Sequence, residues 1–283
     1  MSIDRTMRVG VLMGGLSTER KVSFKSGGAV SAGLRERGWD VVDITVNRDL
    51  PARLIEEKVD VAWIALHGRF GEDGCVQGLL EVMGIPYTGS DVRSSAVAMD
   101  KIATKRALSS IPGISMARDV VLRSGDSLPR DMLPAVVKPS VGGSTIGISI
   151  AKTPAEFRQS VEEALQLHGE VLVEEYVAGD EITVAVLDGS ALPVVRILPK
   201  SGFFDFEAKY SKGMTVYEVP AEIPEQVALA AQEAAVAAFR AVGCGGLCRA
   251  DFIIREDLTP VFLEINTIPG MTATSLSPMA AGA

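Results

Sequence analysis

Met7 to Met13, apolar apart from Arg8 and ended by Gly14 and Gly15, has the pattern of a short strand buried in a parallel sheet. A helical stretch from about Ser23 runs to a stopping glycine at Gly38. Val41 to Val46 predicts a second strand, Pro51 to Lys58 a short helix and Val59 to Leu66 a third strand. A helix from about Gly74 to Met83 follows. This succession predicts a doubly wound parallel sheet with binding groups at the C-terminal ends of its strands. Two helical stretches between Asp91 and Ser110 then lead into strands at Ser115 to Leu122 and Pro134 to Pro139. After the glycine-rich VGGSTIG come strand Ile148 to Ala151, helix Pro154 to Leu167 and strand Val171 to Val177. Strand-like runs follow at Ile182 to Leu187, Pro193 to Leu198 and Thr215 to Val219; the segment SGFFDFEAKYSKGM between the last two is long enough to be a lid. An alanine-rich helix, Pro224 to Val242, precedes two final strands, Leu247 to Ile254 and Pro260 to Ile265, which run into NTIPGM.

The 283 residues suffice for about two domains, and 47% hydrophobic with 23% charged residues is an ordinary globular composition. The net charge of −8 argues against a nucleic-acid or anionic-membrane binder, which needs a basic face, but leaves room for an anionic small ligand. Cys75, Cys244 and Cys248 are too few and too scattered for a disulfide framework, and predict buried or half-buried thiols in a reducing compartment. No apolar run reaches the roughly 20 residues of a membrane span. The opening MSIDRTMRVG lacks the apolar stretch of a secretory signal, so the sequence reads as cytoplasmic.

The chemistry concentrates in LCRADFIIRE and PVFLEINTIPG. Strand side chains alternate faces, so Arg249 shares a face with Asp251, and Glu264 with Asn266. Charges on otherwise apolar strands need each other or a cation, and two carboxylates with one amide suit Mg²⁺ or Mn²⁺ rather than zinc. A structural Arg–carboxylate pair with a turn-starting Asn is the other reading. Lys138 ends an apolar strand just before VGGSTIG, an arrangement that can cradle phosphate or be a simple glycine hairpin; it is not a Walker A loop. Glu19 and His67 each follow a strand of the first unit, where doubly wound sheets place ligand groups.

In this order, GGLSTERKVS, IALHGRFGEDG, GIPYTGS, MDKIATK, VVKPSVGGSTIG, FFDFEAKY, RADF and LEINTIPGMTATSL closely resemble the D-alanine–D-alanine ligases of the ATP-grasp superfamily, over nearly the whole chain. The resemblance implies an α/β protein with α+β lobes. An ATP-grasp fold would follow a doubly wound parallel-sheet N-terminal domain, with units at residues 1–98, 99–178 and 179–283. It implies an ATP-dependent ligase that joins two D-alanines through an acyl phosphate, supplying the dipeptide for peptidoglycan precursors. By the same resemblance the partners are ATP, two D-alanines and two Mg²⁺ or Mn²⁺, with no nucleic acid or membrane, and the enzyme is a homodimer.

The resemblance also implies site residues. Asp251, Glu264 and Asn266 would hold metal; Lys101, Lys138 and Lys209 would contact ATP phosphates, and the Ser144–Thr145 loop would close over them. Glu174, Glu175 and Val177 match the adenine-gripping segment, Glu181 the ribose contact, and Tyr176, Ile253 and Leu263 the adenine slot. Glu175 stands where many members have lysine, a change that a backbone contact survives. Glu19 would anchor the first D-alanine's ammonium, supported by His67 and networked with Ser144 and Tyr210. Arg249 and the Gly270 amide would stabilise an oxyanion, and Ser275 with the Leu276 amide would hold the second D-alanine's carboxylate. Tyr210 favours dipeptide formation, since D-alanine–D-lactate ligases carry phenylalanine there. Two rivals are an ATP-grasp ligase with another acceptor and a catalytically weakened ATP-binding protein. Family members continue past PMAA into a terminal helix, whereas this sequence stops at Ala283.

Overall fold

The first apolar run is strand β1 (Arg8–Gly14), flanked by parallel neighbours β2 (Asp40–Val46) and β3 (Val61–Ile64) in the order β2-β1-β3. This computed structural model describes residues 4–129, 131–142, 147–167, 169–199 and 215–283. From Val9 onward β1 is apolar because both its faces are covered. Val9, Val11 and Met13 join a cluster with Val61 and Ala65, while Leu12 packs with Ile44, Ile64 and Leu80 on the other side. Helices α1 (Arg20–Glu36), α2 (Leu50–Glu56) and α3 (Cys75–Met83) connect and follow these strands.

Helices α4 (Val92–Met99) and α5 (Lys101–Leu108) are separated by Asp100, whose extended backbone breaks the run. Its carboxylate caps α5 by accepting the N–H groups of Ile102 and Ala103. The predicted strand Ser115 to Leu122 is two strands in different sheets, β4 (Ser115–Met116) and β5 (Asp119–Arg123). The crossing occurs at Ala117, which is buried against Val177 and Val261. β5 belongs to an antiparallel sheet with β6 (Ala135–Pro139), β7 (Ser149–Ala151) and β8 (Glu170–Glu175), ordered β5-β8-β6-β7. Helix α6 (Pro154–Leu167) covers it, setting Phe157, Val161 and Ala164 against Val137, Val171 and Val173.

The largest sheet contains β9 (Asp180–Leu187), β10 (Ser190–Ala191), β11 (Val195–Pro199), β12 (Thr215–Glu218), β13 (Leu247–Ile254) and β14 (Pro260–Asn266). Its order is β12-β11-β9-β13-β14-β4, with β10 paired to β9. Helix α7 (Glu225–Val242) lays Ala231, Ala234, Ala235 and Ala238 on this sheet, small side chains that let the helix approach closely. Phe252 and Phe262 meet edge-on beneath it, centroids 5.7 Å apart. Helix α8 (Leu276–Gly282) packs Leu276 and Ala280 against Val195 and Ile197. Ile268, just past β14, is buried among the residues of the first sheet. The thiols of Cys244 and Cys248 are buried, whereas Cys75 is exposed at the start of α3, contrary to the expectation for it.

Candidate active site

β13 and β14 pair antiparallel in a register that sets Asp251 opposite Glu264 and Arg249 opposite Asn266, so the strand alternation does bring the four polar residues together. Arg249 makes a two-pronged contact with Asp251, Nε to Oδ1 and Nη2 to Oδ2, both 2.8 Å. Thr183, opposite Asp251 on β9, donates its hydroxyl to Oδ1 at 2.5 Å. Asn266 accepts the Ile268 N–H at 2.9 Å, which fixes its amide while leaving the oxygen's second lone pair. Asp251, Glu264 and Asn266 thus form an all-oxygen donor set whose chemistry fits Mg²⁺ or Mn²⁺.

The lysines come from elsewhere in the chain. Lys101, the first residue of capped α5, directs Nζ to the Gly142 carbonyl at 2.5 Å and lies 3.8 Å from Glu264. Lys138, at the end of β6, contacts Glu174 of β8 at 2.5 Å. Glu174 also accepts from Lys105 at 2.6 Å, and all three side chains are buried. Burial acts to raise the Glu174 carboxyl, but the charges of Lys138 and Lys105 and their hydrogen bonds outweigh it and hold the group below its ordinary value. The Glu174 side chain is therefore committed to lysines, and it is Val177, beyond β8, that packs against Ala117, Val261 and Ile253. Glu175 turns its carboxylate to Arg255 at 2.5 Å and donates its N–H to the Arg118 carbonyl at 2.9 Å, so a ligand contact there falls to its backbone carbonyl, as the change from lysine allows. Glu181 pairs with Ile253 across β9 and β13, Leu263 is half-buried on β14, and Tyr176 is exposed.

On the other side of the arginine stand Glu19 and His67, both buried. Ser17 organises this corner: its hydroxyl donates to the His67 carbonyl at 2.6 Å and accepts the Glu19 N–H at 3.2 Å. Gly68 must be glycine here, because it has φ +70° and a Cβ would sit 2.8 Å from Glu19 Oε2. Burial pulls the His67 pKa down, but the carboxylates of Glu72, 3.7 Å from Nδ1, and of Glu19 more than reverse this, so the imidazole is raised above its ordinary value. A pKa raised by folding means that protonated His67 stabilises the folded chain. That contribution is complete below 6.5 and is lost as pH rises through the folded value. The melting-temperature gap between the wild type and His67→Gln is expected to narrow from about pH 6 to pH 8.5; a constant gap would contradict it.

Ser26 of α1 joins this corner to the segment after β14. Its hydroxyl lies 3.3 Å from His67 Nε2 and accepts the Met271 N–H at 3.2 Å. Gly270 precedes that amide, and a Cβ on it would approach Ser275 Oγ to 3.0 Å. Ser275 opens α8, its hydroxyl 2.9 Å from the Thr272 N–H that donates to it, and Leu276 is buried beside it. Ser144, Thr145, Lys209 and Tyr210 lie outside the described residues. Sequence reading missed Ser26, Glu72 and Lys105. Two of them had a signal in helical spacing, since Ser23 and Ser26 share a face of α1 and Lys101 and Lys105 a face of α5.

Two lobes carrying lysines and an oxygen-donor cluster, set behind a parallel sheet, make up the architecture of the ATP-grasp enzymes. The families described as D-ala D-ala ligase C-terminus and D-ala D-ala ligase N-terminus match residues 125–283 and 51–90. A D-alanine–D-alanine ligase of Syntrophotalea carbinolica is 50% identical over 278 residues, covering 98% of this chain and 90% of the relative. The chain belongs to the D-alanine–D-alanine ligase family. The crystal structure of the Bacillus anthracis D-alanine–D-alanine ligase complexed with ATP aligns with TM-score 0.84 at 35% identity, covering 98% of this chain and 91% of that one. The D-Ala:D-Ser ligase of Enterococcus faecalis aligns with TM-score 0.82 at 30% identity, covering 97% and 94%.

Proposed function

We propose that this chain joins two D-alanines at the expense of ATP, using the residues assembled between the first sheet and the two lobes. The first D-alanine's carboxylate attacks the γ-phosphate and ADP leaves; the second's amine attacks the resulting acyl phosphate and phosphate leaves. A carboxylate attacks an anionic phosphate only when charge is neutralised and the partners are aligned. Lys101 and Lys138 serve the phosphates, joined by Lys209 and the Ser144–Thr145 loop. Asp251, Glu264 and Asn266 would hold Mg²⁺ or Mn²⁺, which offsets phosphate charge when bound. The segment Glu174, Glu175 and Val177 receives adenine, partly by backbone atoms of Glu175 and Val177, with Ile253 and Leu263 alongside, and Glu181 receives the ribose.

Glu19 holds the ammonium of the first D-alanine, with His67, set against Glu72, beside it and Ser144 and Tyr210 completing the network. The guanidinium of Arg249, already fixed by Asp251, and the Gly270 amide face the oxyanion formed when the second amine attacks. Ser275 and the Leu276 amide hold the second carboxylate. We further propose three units at 1–98, 99–178 and 179–283, a homodimer, a cytoplasmic location and a role in peptidoglycan precursor synthesis. Among the described residues no helix is long and apolar enough to cross a membrane.

The observation that carries this reading is the Ser26 hydroxyl, which ties the Glu19–His67 corner to the Gly270–Met271 segment and so sets a substrate corner against the Arg249–Asp251–Glu264 cluster. Purified protein is expected to release phosphate from ATP only when both D-alanine and Mg²⁺ are present. ATP binding with no D-alanine-dependent release would refute the reading, and faster release with D-serine or D-lactate as second substrate would change the acceptor.

A further inference from the structure

Lys105 is buried on α5, one helical turn after Lys101, and no role in the reaction falls to it above. Its ammonium has three donors, and each has an acceptor within the protein. These are the Ala117 carbonyl at 2.8 Å, Glu174 Oε1 at 2.6 Å and Asp119 Oδ1 at 3.0 Å. A lysine so occupied has no donor left for a ligand. Lys138 differs: among the described residues it gives one contact, to Glu174 Oε2 at 2.5 Å. A single buried carboxylate therefore stands between two ammonium groups, one oxygen for each.

We propose that Lys105 is a positioning residue for nucleotide binding. By taking half of Glu174, it keeps that carboxylate from neutralising Lys138 and holds the Lys138 ammonium aimed and positive for the phosphates of ATP. The proposal rests on the reading that Lys138 meets those phosphates. Without Lys105, Glu174 and Lys138 form a closed pair of zero net charge, and an incoming phosphate must compete with a buried carboxylate for the ammonium. With Lys105 present the buried trio carries one net positive charge, and Asp119, the further carboxylate on Lys105, is a third exposed and screened by solvent. Ala117 and Asp119, at the crossing from the largest sheet to the four-stranded one, anchor Lys105 where the two lobes meet.

The test is steady-state kinetics of D-alanine-dependent phosphate release, with thermal melting to confirm folding. Lys105→Met is expected to raise KM for ATP about tenfold, a loss of one charge at second remove, while KM for D-alanine stays within about twofold. Lys105→Arg, which keeps the charge, is expected to return KM for ATP to within about threefold of wild type. A residue that only tied α5 to its neighbours would lower the melting temperature without moving KM for ATP in the folded variant, and that result overturns the proposal. Should Lys105→Met fail to fold, the double variant Lys105→Met/Glu174→Gln, which removes the buried carboxylate and leaves only the part-exposed Asp119 without its lysine, decides instead. It is expected to match Glu174→Gln alone in KM for ATP, and a further rise beyond that single variant overturns the proposal. Lys138→Met separates the two layers. If it leaves KM for ATP unchanged, the underlying reading of Lys138 is wrong; if it raises KM while Lys105→Met does not, only the present inference fails.

Discussion

Glu264→Gln is expected to lower D-alanine-dependent phosphate release by at least about 10³-fold while the protein remains folded. The replacement has the same shape and removes one negative charge from the donor set. Glu264 is the more solvent-accessible of the two facing carboxylates, with a third of its side chain exposed, so the fold depends on it little. Asp251 is held by Arg249 and Thr183 whatever happens opposite it. The loss should therefore fall on turnover, and raising Mg²⁺ should recover part of it by mass action. Near-wild-type turnover in Glu264→Gln at ordinary Mg²⁺ would refute the metal assignment, and a collapsed melting transition would mean that the carboxylate is structural.

Arg249 carries the second large effect, and two substitutions divide its roles. Arg249→Lys keeps a charge but cannot reproduce the two-pronged contact with Asp251 or a fixed planar fork at an oxyanion. It is expected to reduce kcat by about 10²- to 10³-fold, the usual cost of one oxyanion donor, with a much smaller change in KM for D-alanine. Arg249→Met also strands Asp251, only 6% exposed at its side chain, with the Thr183 hydroxyl alone, and breaking such a buried pair costs about 3 kcal/mol or more. Stability by denaturant titration should thus separate the two variants where activity does not. A kcat in Arg249→Lys equal to the wild type would remove the oxyanion role.

What could be read in the sequence follows the periodicities of the chain. The β1 run and the alternation in LCRADFII and PVFLEIN depend on local geometry, so the strands and the shared face of Arg249 and Asp251 were legible at once. The pairing of Asp251 with Glu264 was not, because it depends on a register shift between Asp251 and Phe252 that no local pattern records. For the same reason Ser115 to Leu122 reads as one strand: alternation continues across Ala117 although the chain changes sheets there. Ser26, Glu72 and Lys105 stayed hidden because a serine, a glutamate and a lysine are usually surface residues. Only the packing of distant elements shows that Ser26 and Lys105 are buried and that Glu72 is set against His67. Family resemblance named the groups that would touch substrate, and three-dimensional contacts supplied those that hold them.

Ile268 ties the end of β14 into the core of the first sheet. Its buried side chain belongs to the core cluster of the first sheet, with Leu12, Ile44, Ile64 and Leu66 among its members, although its backbone continues from β14 of the largest sheet. Any rocking of that sheet against the first one that keeps Ile268 buried must turn about a point close to it. Displacement in a rotation grows with distance from the axis, so in such a motion Asn266, Gly270 and Met271 would travel less than parts farther from it. The Gly270 amide proposed above for the oxyanion would thus sit near the axle, and a cleft between the lobes would open or shut around it without spoiling its aim.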